Sequence, residues 1–304
     1  MKLDKKLNLE LKNITILAGK AILKVYKKPF KKNFKADKSP VTDADIAANN
    51  IICERLKKLT PNIPVISEEN ENRPKNTSLF WLVDPLDGTK EFIKKNGEFT
   101  VNIALVKNKR PIYGIIFKPT SRELYFTEDK FSYYSKLDHN YGLSKKTKIK
   151  TKRRKVNILA LSRSHTRNND LILKKFNANK IIQTGSSIKL CLIANGSANI
   201  YPRLGTTMEW DIAAGHAILR KAGGKIKTLD GKILKYGKTS LLKNPKAVFK
   251  KHRSIKFHFD MFHGNGVIDK AIDVLNNCDK EDFREYVRSN KSYNQGNMFI
   301  CHNY

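Results

Sequence analysis

The sequence predicts an α+β chain in which helix and strand layers alternate. Residues 7–26 carry apolar side chains at helical spacing, and a second helix with one alanine- and isoleucine-rich face follows Thr42. Short apolar runs of strand length come next, separated by turn-forming residues near 107–109 and 119–120. Helix-length and strand-length segments alternate again in the second half, which is the pattern of an α+β or layered α/β fold.

The predicted elements fall into groups. A Lys-rich stretch at 144–155 is expected to be a hinge between two halves. Residues 251–304 hold 8 Lys and Arg and 7 Asp and Glu, whereas residues 1–250 hold 52 and 21. We therefore predict a half at 1–150, a half at 151–250 and a tail at 251–304. The elements are helices at 7–26, after Thr42, near 168–176 and 187–195, and at 211–222, and strands at 79–83, 100–106, 112–117, 123–126, 156–161 and 198–201.

The most informative stretch is residues 81–89, which read WLVDPLDGT. An apolar run typical of a buried strand leads directly into Asp84 and Asp87, three residues apart on a turn. A proline fixes the backbone between them and a glycine lets it curl back, so both carboxylates can face one point with the Leu86 carbonyl between them. Converging oxygen ligands suit a hard cation such as Mg²⁺. Taken alone, however, the pair is better explained as a surface turn.

Two further acidic groups stand at the ends of apolar segments. Glu68 and Glu69 follow the short run 65–67, and Asp211 precedes an amphipathic stretch at 212–219. Taken singly, the glutamates fit a solvated loop, and Asp211 fits a helix N-cap. Three acidic groups at structured junctions are harder to explain in this way, because the chain has 60 Lys and Arg and only 28 Asp and Glu.

The net charge of +32 raises the question of an anionic partner. A strongly basic protein can bind nucleic acid or an anionic membrane face. The lysines, however, are spread along nearly every element, and the basic clusters at 145–155 and 225–251 lack an aromatic-rich or zinc-finger pattern. We therefore expect solvated lysines and no specific nucleic-acid site, while a peripheral contact with an anionic membrane stays open. A positive field would also attract a phosphate-rich substrate.

Other features favour a soluble cytoplasmic protein. A chain of 304 residues with 40% hydrophobic content can bury a large core as one or two domains. It contains no apolar run of transmembrane length, and its first residues lack the apolar core of a signal peptide. The cysteines are scattered without a Cys-x-x-Cys motif, which argues against a zinc site and fits a reducing compartment: Cys53, Cys191, Cys278 and Cys301.

The acidic groups together carry a family resemblance. The string DPLDGT at 84–89, with Glu68-Glu69 before it and Trp210-Asp211-x-Ala213-Ala214 after it, resembles the motifs of the inositol monophosphatase superfamily. Within that superfamily, longer strings are similar to those of bacterial 3'(2'),5'-bisphosphate nucleotidases. The resemblance runs in order from about residue 5 to about residue 250 and includes SPVTDADIAA at 39–48, KEFI at 90–93, GEFTVNIAL at 97–105, SRSH at 162–165 and GSSIK at 185–189.

This resemblance implies a fold, a cofactor and a reaction. The fold would be the layered α/β sandwich of the sugar-phosphatase type, with metals between the two halves. The reaction would be a lithium-sensitive, Mg²⁺-dependent phosphomonoester hydrolysis in which two or more ions per site, roughly 3.5–4 Å apart, activate water. The first ion would be held by Glu68, Asp84 and the Leu86 carbonyl, and the second by Asp84, Asp87 and Asp211.

The resemblance also implies catalytic roles. Thr89 matches the water-orienting threonine of the family, Asp45 matches its partner carboxylate, and Glu68 would help to activate the same water. The alternative for Thr89 and Asp45 is simple turn and helix capping.

Contacts to the substrate are implied for two sets of residues. The metal-site residues Glu68, Leu86, Asp87 and Asp211 would meet the reacting phosphate, together with the backbone N–H groups of Gly88 and Thr89. GSSIK at 185–189 opens a predicted helix and would seat a second anion. Lys189 and Arg203 would bind a second phosphate next to Ser186, although the alternative for Lys189 is an ordinary surface lysine.

We therefore expect a cytoplasmic nucleotidase that converts adenosine 3',5'-bisphosphate to AMP and phosphate and so recycles a by-product of sulfur assimilation. Its partner would be this small nucleotide, with monomer and homodimer both open. The alternative enzyme is an inositol monophosphatase or broader sugar phosphatase. The alternative without activity is a basic protein that binds nucleic acid or the cytoplasmic face of the inner membrane. Because the assigned ligands precede residue 212, a chain ending near Lys250 is expected to stay folded and active.

Overall fold

The computed structural model describes residues 3–34, 40–70, 77–143, 145–152, 155–163, 173–174, 176–203, 207–228, 233–237, 242, 244 and 299–303. Within these residues, helices and two larger sheets alternate in layers. The layered α+β architecture predicted from the sequence is therefore confirmed.

The first layer consists of two long helices. Helix α1 (Lys5–Tyr26) and helix α2 (Asp43–Leu59) lie against each other, and a small hairpin of β1 (Lys32–Phe34) and β2 (Pro40–Thr42) connects them. The Thr42 hydroxyl caps the start of α2. The apolar faces of both helices pack on one face of the larger sheet and contribute these buried residues: Leu11, Ile14, Ile22, Ile52 and Leu56.

The larger sheet has seven strands: β3 (Val65–Ser67), β4 (Leu79–Asp87), β5 (Thr100–Lys107), β6 (Arg110–Lys118), β7 (Glu123–Glu128), β8 (Phe131–Lys136) and β9 (Thr147–Ile149). The strands are adjacent in this order. Strands β3 and β4 run parallel, and the later neighbours are antiparallel. Helix α3 (Thr89–Ile93) follows β4. Because Ser67 pairs with Val83, the chain leaves β3 next to the second half of β4.

The second sheet contains β10 (Asn157–Ser162), β11 (Ala178–Thr184), β12 (Ile200–Arg203), β13 (Gly224–Thr228) and β14 (Phe299–Asn303) in the order β11-β10-β12-β14-β13. Helices α4 (Ile188–Ala194) and α5 (Glu209–Lys221) contribute to a core that joins the two sheets. Gly114 of β6 lets α5 approach, because a Cβ atom at that position would stand 2.2 Å from the Ala214 carbonyl oxygen. The expected division at 1–150 and 151–250 stays a prediction, since this core is shared.

Several elements differ from the sequence-based predictions. Strands β8, β9 and β11 were not expected, because their polar and partly exposed residues give no continuous apolar run. Asp211 is not the N-cap of α5: the helix begins at Glu209 after Met208. The helix predicted near 168–176 lies largely outside the described residues. Of this range the structure describes 173–174, which are helical, and 176.

The end of the chain belongs to the second sheet. Strand β14 pairs antiparallel with β12 on one side and with β13 on the other. Residues 299–303 of the predicted tail therefore lie in the interior of this sheet, and the division of the chain into two halves and a tail at 251–304 stays a prediction. Sequence reasoning missed the strand because 70 residues of chain separate Thr228 from Phe299; such distant pairings leave no local signal.

Among the helices within the described ranges, none is both long enough and apolar enough to span a bilayer.

Candidate active site

Three carboxylates meet where the first two strands of the larger sheet end. Glu68 follows β3 and therefore lies next to Asp84 of the parallel strand β4. Asp211 reaches the same place from the first turn of α5, where its carboxylate also accepts the Met208 N–H at 2.9 Å. One oxygen from each of the three carboxylates lies within 4.8 Å of the others. The structure thus brings together three of the expected metal ligands from three separate parts of the chain.

The carboxyl groups of this cluster hold protons unless a cation is bound, because their pKa values are raised. Asp84 is 1% exposed, and burial followed by repulsion from Glu68 and three further aspartates raises its pKa well above the ordinary value. The same causes raise the pKa of Asp211 to about 8. Adjacent buried carboxylates do not all ionise without a cation. The donor set, which consists of oxygens alone, suits a hard divalent ion.

Asp87 borders the cluster but is also part of a polar network. Its Oδ2 accepts the Ser187 N–H at 2.5 Å and the Asn102 side-chain amide at 3.3 Å. Burial raises its pKa to about 6, while nearby Lys189 and these hydrogen bonds oppose the rise. Asp87 and Leu86 both line the same pocket as the three clustered carboxylates. Asp87 thus connects the expected metal site to the turn at 185–187.

Thr89 and Asp45 form a pair, as the resemblance implied. The Thr89 hydroxyl donates to Asp45 Oδ1 at 3.2 Å and also lies 3.3 Å from the Leu86 carbonyl oxygen. The other carboxylate oxygen of Asp45 accepts the N–H and the hydroxyl of Thr42, which completes the capping box of α2. Asp45 therefore caps a helix with one oxygen and orients Thr89 with the other, so the capping alternative and the catalytic alternative are compatible.

The turn at 185–187 is shaped by contacts from the first half of the chain. Ser186 adopts a left-handed backbone with φ of 46°. A Cβ atom at Gly185 would stand 2.6 Å from the Glu91 side chain, so only glycine fits that approach without rearrangement. The Ser187 N–H already donates to Asp87. Helix α4 is also short, so the expectation of an anion seat at its N-terminus is not supported by this geometry.

Lys189 is not the surface lysine that the alternative reading allowed. It is 3% exposed, and its Nζ donates to the carbonyl oxygens of Ser186 at 2.6 Å and Thr184 at 3.2 Å. Burial lowers its pKa to about 8, although nearby Asp87 opposes the shift. Lys189 and Arg203 both line the pocket, together with Gly88 and Ser186. Lys189 therefore supports the 184–187 turn and also faces the site.

An ion pair missed by sequence reasoning lies beside the turn at 185–187. Arg163 makes two hydrogen bonds to the Glu98 carboxylate, at 2.7 and 2.9 Å, and donates to the Gln183 carbonyl oxygen. Glu98 in turn accepts the Gly185 N–H at 2.9 Å. Both charged residues belong to sequence strings that carried the family resemblance, but the resemblance implied no role for either residue. Glu98 and Arg163 join the two halves beside the 185–187 turn.

The raised carboxyl pKa values lead to a prediction about pH. Without metal, the raised pKa values let Asp84, Asp87 and Asp211 stay protonated in the folded protein at pH values where the unfolded chain has lost these protons. The free energy of unfolding of the metal-free protein is therefore expected to fall as the pH rises from about 4 to about 8. A bound cation displaces those protons and removes the repulsion. Mg²⁺ is therefore expected to raise the unfolding temperature more at pH 8 than at pH 6. Thermal unfolding with MgCl₂ and with NaCl of equal ionic strength measures this; an equal Mg²⁺ shift at both pH values would contradict it.

Comparisons with known proteins cover most of the chain. A family model described as "Inositol monophosphatase family" matches residues 3–257. The 3'(2'),5'-bisphosphate nucleotidase CysQ of Buchnera aphidicola subsp. Acyrthosiphon pisum is 46% identical over 231 residues, which are 73% of this chain and 84% of the relative. CysQ of Salmonella typhimurium is 43% identical over 236 residues, 75% of this chain and 93% of the relative.

Solved structures show the same relationship. The structure of CysQ from Bacteroides thetaiotaomicron matches with a TM-score of 0.63 and 40% identity, over 75% of this chain and 91% of that chain. An IMPase from Thermotoga maritima also gives a TM-score of 0.63, at 19% identity, over 76% of this chain and 88% of that chain. The second match shows a shared fold alone.

The layered fold and the converging carboxylates define a phosphatase of the metal-dependent class. The chain belongs to the inositol monophosphatase family. The family resemblance predicted from the short acidic motifs is therefore confirmed.

Proposed function

We propose that this protein is a Mg²⁺-dependent 3'(2'),5'-bisphosphate nucleotidase that hydrolyses adenosine 3',5'-bisphosphate to AMP and phosphate. The observation that carries the proposal is the presence, in one pocket, of the cluster Glu68, Asp84 and Asp211 and of the cations Lys189 and Arg203. A cluster that attracts metal ions suits the phosphate being cleaved, and separate fixed cations suit a second phosphate. The CysQ relatives, which are up to 46% identical, support this choice of substrate.

The residues that would hold the ions are those expected from the sequence. Glu68, Asp84 and the Leu86 carbonyl would hold one ion, and Asp84, Asp87 and Asp211 a second. When bound, such ions lower the pKa of water and neutralise the charge that develops on the leaving oxygen.

The protein side chains would orient the water and the phosphate. Because the Thr89 hydroxyl donates a hydrogen bond to Asp45, the Thr89 oxygen can accept a hydrogen bond from the attacking water. Glu68 is partly exposed at the cluster and would help to take the proton of that water. The new bond joins the water oxygen to phosphorus, the bond from phosphorus to the ribose oxygen breaks, and the released ribose oxygen is protonated. The Gly88 and Thr89 backbone would bind the phosphate.

Lys189 supplies a prediction about substrate choice. Lys189→Ala is expected to raise KM for adenosine 3',5'-bisphosphate roughly ten- to a hundredfold. This corresponds to the loss of one charge-assisted contact of about 1.5–3 kcal/mol. A smaller rise is expected for a monophosphate ester, which lacks the second phosphate. Because Nζ also supports two carbonyl groups, the unfolding temperature is expected to fall as well.

Steady-state kinetics on both substrates measures this effect, with Lys148→Ala as the control. Lys148 lies over the Phe131 ring, and it does not line the described pocket. Like Lys189→Ala, the Lys148→Ala substitution lowers the net charge of the protein by one. It is expected to leave the KM values for both substrates unchanged. Equal KM increases for both substrates in Lys189→Ala would assign Lys189 to the fold alone.

We place the reaction in the cytoplasm and do not extend it to a membrane surface. Several lysines that could form a basic face are engaged locally: Lys12 and Lys146 pair with Glu128, and Lys20 lies over the Tyr141 ring. These local partners make the three lysines less available to a common binding face.

The proposal is tested by incubating the full chain with adenosine 3',5'-bisphosphate, with and without Mg²⁺, and identifying the products. AMP and inorganic phosphate in equal amounts, formed only with the metal, are the expected result. Adenosine 3',5'-bisphosphate left intact under both conditions, with another phosphate ester hydrolysed, would overturn the choice of substrate and leave the phosphatase class in place.

A further inference from the structure

Thr207 has no role in the catalytic machinery described so far, yet it lines the same pocket as Arg203 and Asp211. It lies four residues before Asp211 and is 4% exposed. Its hydroxyl contacts the side chain of Asn244. Asn244 is fully buried and follows α5 in the sequence, but it lies in space beside Met208, at the start of that helix. The pair therefore joins a late part of the chain to the pocket wall.

The direction of this hydrogen bond is fixed by its neighbours. Asn244 Nδ2 lies 2.7 Å from the Met208 carbonyl oxygen and 3.2 Å from Thr207 Oγ1. A carbonyl oxygen only accepts hydrogen bonds, so the amide nitrogen must face Met208, and the amide donates to Thr207 as well. The Asn244 backbone N–H further holds the segment by donating to the Thr207 carbonyl oxygen at 3.0 Å.

The Thr207 hydroxyl proton is therefore available to a ligand. Its oxygen accepts from Asn244, and no residue in the described part of the chain accepts its proton. Two other pocket hydroxyls already donate: that of Thr89 to Asp45, and that of Ser187 to Asn102. An oriented donor in a pocket with cations and a metal-type cluster suits an oxygen that only accepts, which is the character of a phosphate oxygen.

We propose that the Thr207 hydroxyl, oriented by Asn244, donates a hydrogen bond to a phosphate oxygen of the bound substrate. The proposal rests on the phosphatase function and adds a specific donor to it. Thr207 is then a substrate-binding residue, and Asn244 is the residue that positions it.

Two variants of the full chain separate the hydroxyl from the rest of the side chain. Thr207→Val keeps the shape and removes the donor, and it is expected to raise KM for adenosine 3',5'-bisphosphate about tenfold or more. Thr207→Ser keeps the donor and is expected to recover most of that loss. The KM values are measured with Mg²⁺ for this nucleotide and for para-nitrophenyl phosphate.

A matched control is Thr127→Val. Thr127 is another buried threonine whose hydroxyl accepts a backbone N–H, that of Gly114, and it does not line the described pocket. It is expected to lower the unfolding temperature and leave KM unchanged. The two threonine-to-valine variants thereby separate a loss of binding from a loss of stability.

The outcomes are distinct from those that test the proposed function. A higher KM in Thr207→Val than in Thr207→Ser, for either phosphate ester, supports the donor role. Equal KM values in wild type and Thr207→Val for both esters would overturn it. If the wild type hydrolyses para-nitrophenyl phosphate and ignores the nucleotide, the proposed substrate fails, and the comparison on the nitrophenyl ester still decides whether the Thr207 hydroxyl meets a phosphate.

Discussion

Asp84→Asn is expected to lower the turnover of adenosine 3',5'-bisphosphate by about 10²-fold or more, the usual cost of removing one well-placed electrostatic group from such a site. Asp84 is almost fully buried and faces Glu68 and Asp211, and it is the residue assigned to both metal ions. Its replacement removes the shared charge without changing the shape of the side chain. The kcat value at saturating Mg²⁺ measures the effect.

The same substitution is expected to preserve or raise the unfolding temperature of the metal-free protein. Repulsion from neighbouring carboxylates raises the pKa of Asp84, so its charge opposes folding when no cation is present. The matched control is Asp129→Asn, at a turn with φ of 48° that asparagine readily adopts; it is expected to change neither property. Near wild-type turnover in a well-folded Asp84→Asn protein would contradict the two-metal assignment.

A chain that ends at Met298 is expected to lose several kcal/mol of unfolding free energy. This truncation removes β14, which lies between β12 and β13, and each backbone hydrogen bond lost from the two ladders contributes roughly 0.5–1.5 kcal/mol. Phe299 pairs with Arg203 at the end of β12, so the loss reaches a residue of the pocket wall. Urea unfolding of the soluble fraction, together with activity, measures the effect.

An internal deletion provides the comparison for this truncation. Replacing residues 256–290 by a short Gly/Ser linker removes more of the chain but keeps β14, and it is expected to be more stable than the truncated protein. A chain ending at Met298 that unfolds at the wild-type urea concentration and retains wild-type kcat/KM would show that β14 is dispensable, as the sequence alone had suggested.

The acidic site was predictable because metal chemistry constrains short stretches of sequence. Asp84, Leu86 and Asp87 lie on one strand end, and hard cations require oxygen ligands, so these three residues carried most of the information. The layered fold was predictable for a similar reason, since helical and strand periodicities are local. The assignment of Glu68 and Asp211 to this site depended on the family resemblance, because no local sequence pattern shows that distant segments of a chain meet.

Features that depend on distant contacts were missed or misjudged. Lys189 is buried against the 184–187 turn, which itself contacts Glu98 and Asp87 from the first half of the chain. No pattern in a lysine-rich sequence distinguishes such a lysine from one on the surface. Strand β14 pairs with residues about 70 to 100 positions earlier. Asp211 was read as an N-cap because Asp is common there; the structure gives that position to Met208.

The central claim is that this pocket takes a nucleotide with two phosphates, one at the acidic cluster and one at the fixed cations. The most direct measurement is the ratio of kcat/KM for adenosine 3',5'-bisphosphate to kcat/KM for inositol 1-phosphate, with Mg²⁺ and the same enzyme preparation. A second phosphate that gains a charge-assisted contact of about 1.5–3 kcal/mol predicts a ratio of roughly ten to a hundred or more in favour of the nucleotide. A ratio of one or less would contradict the claim.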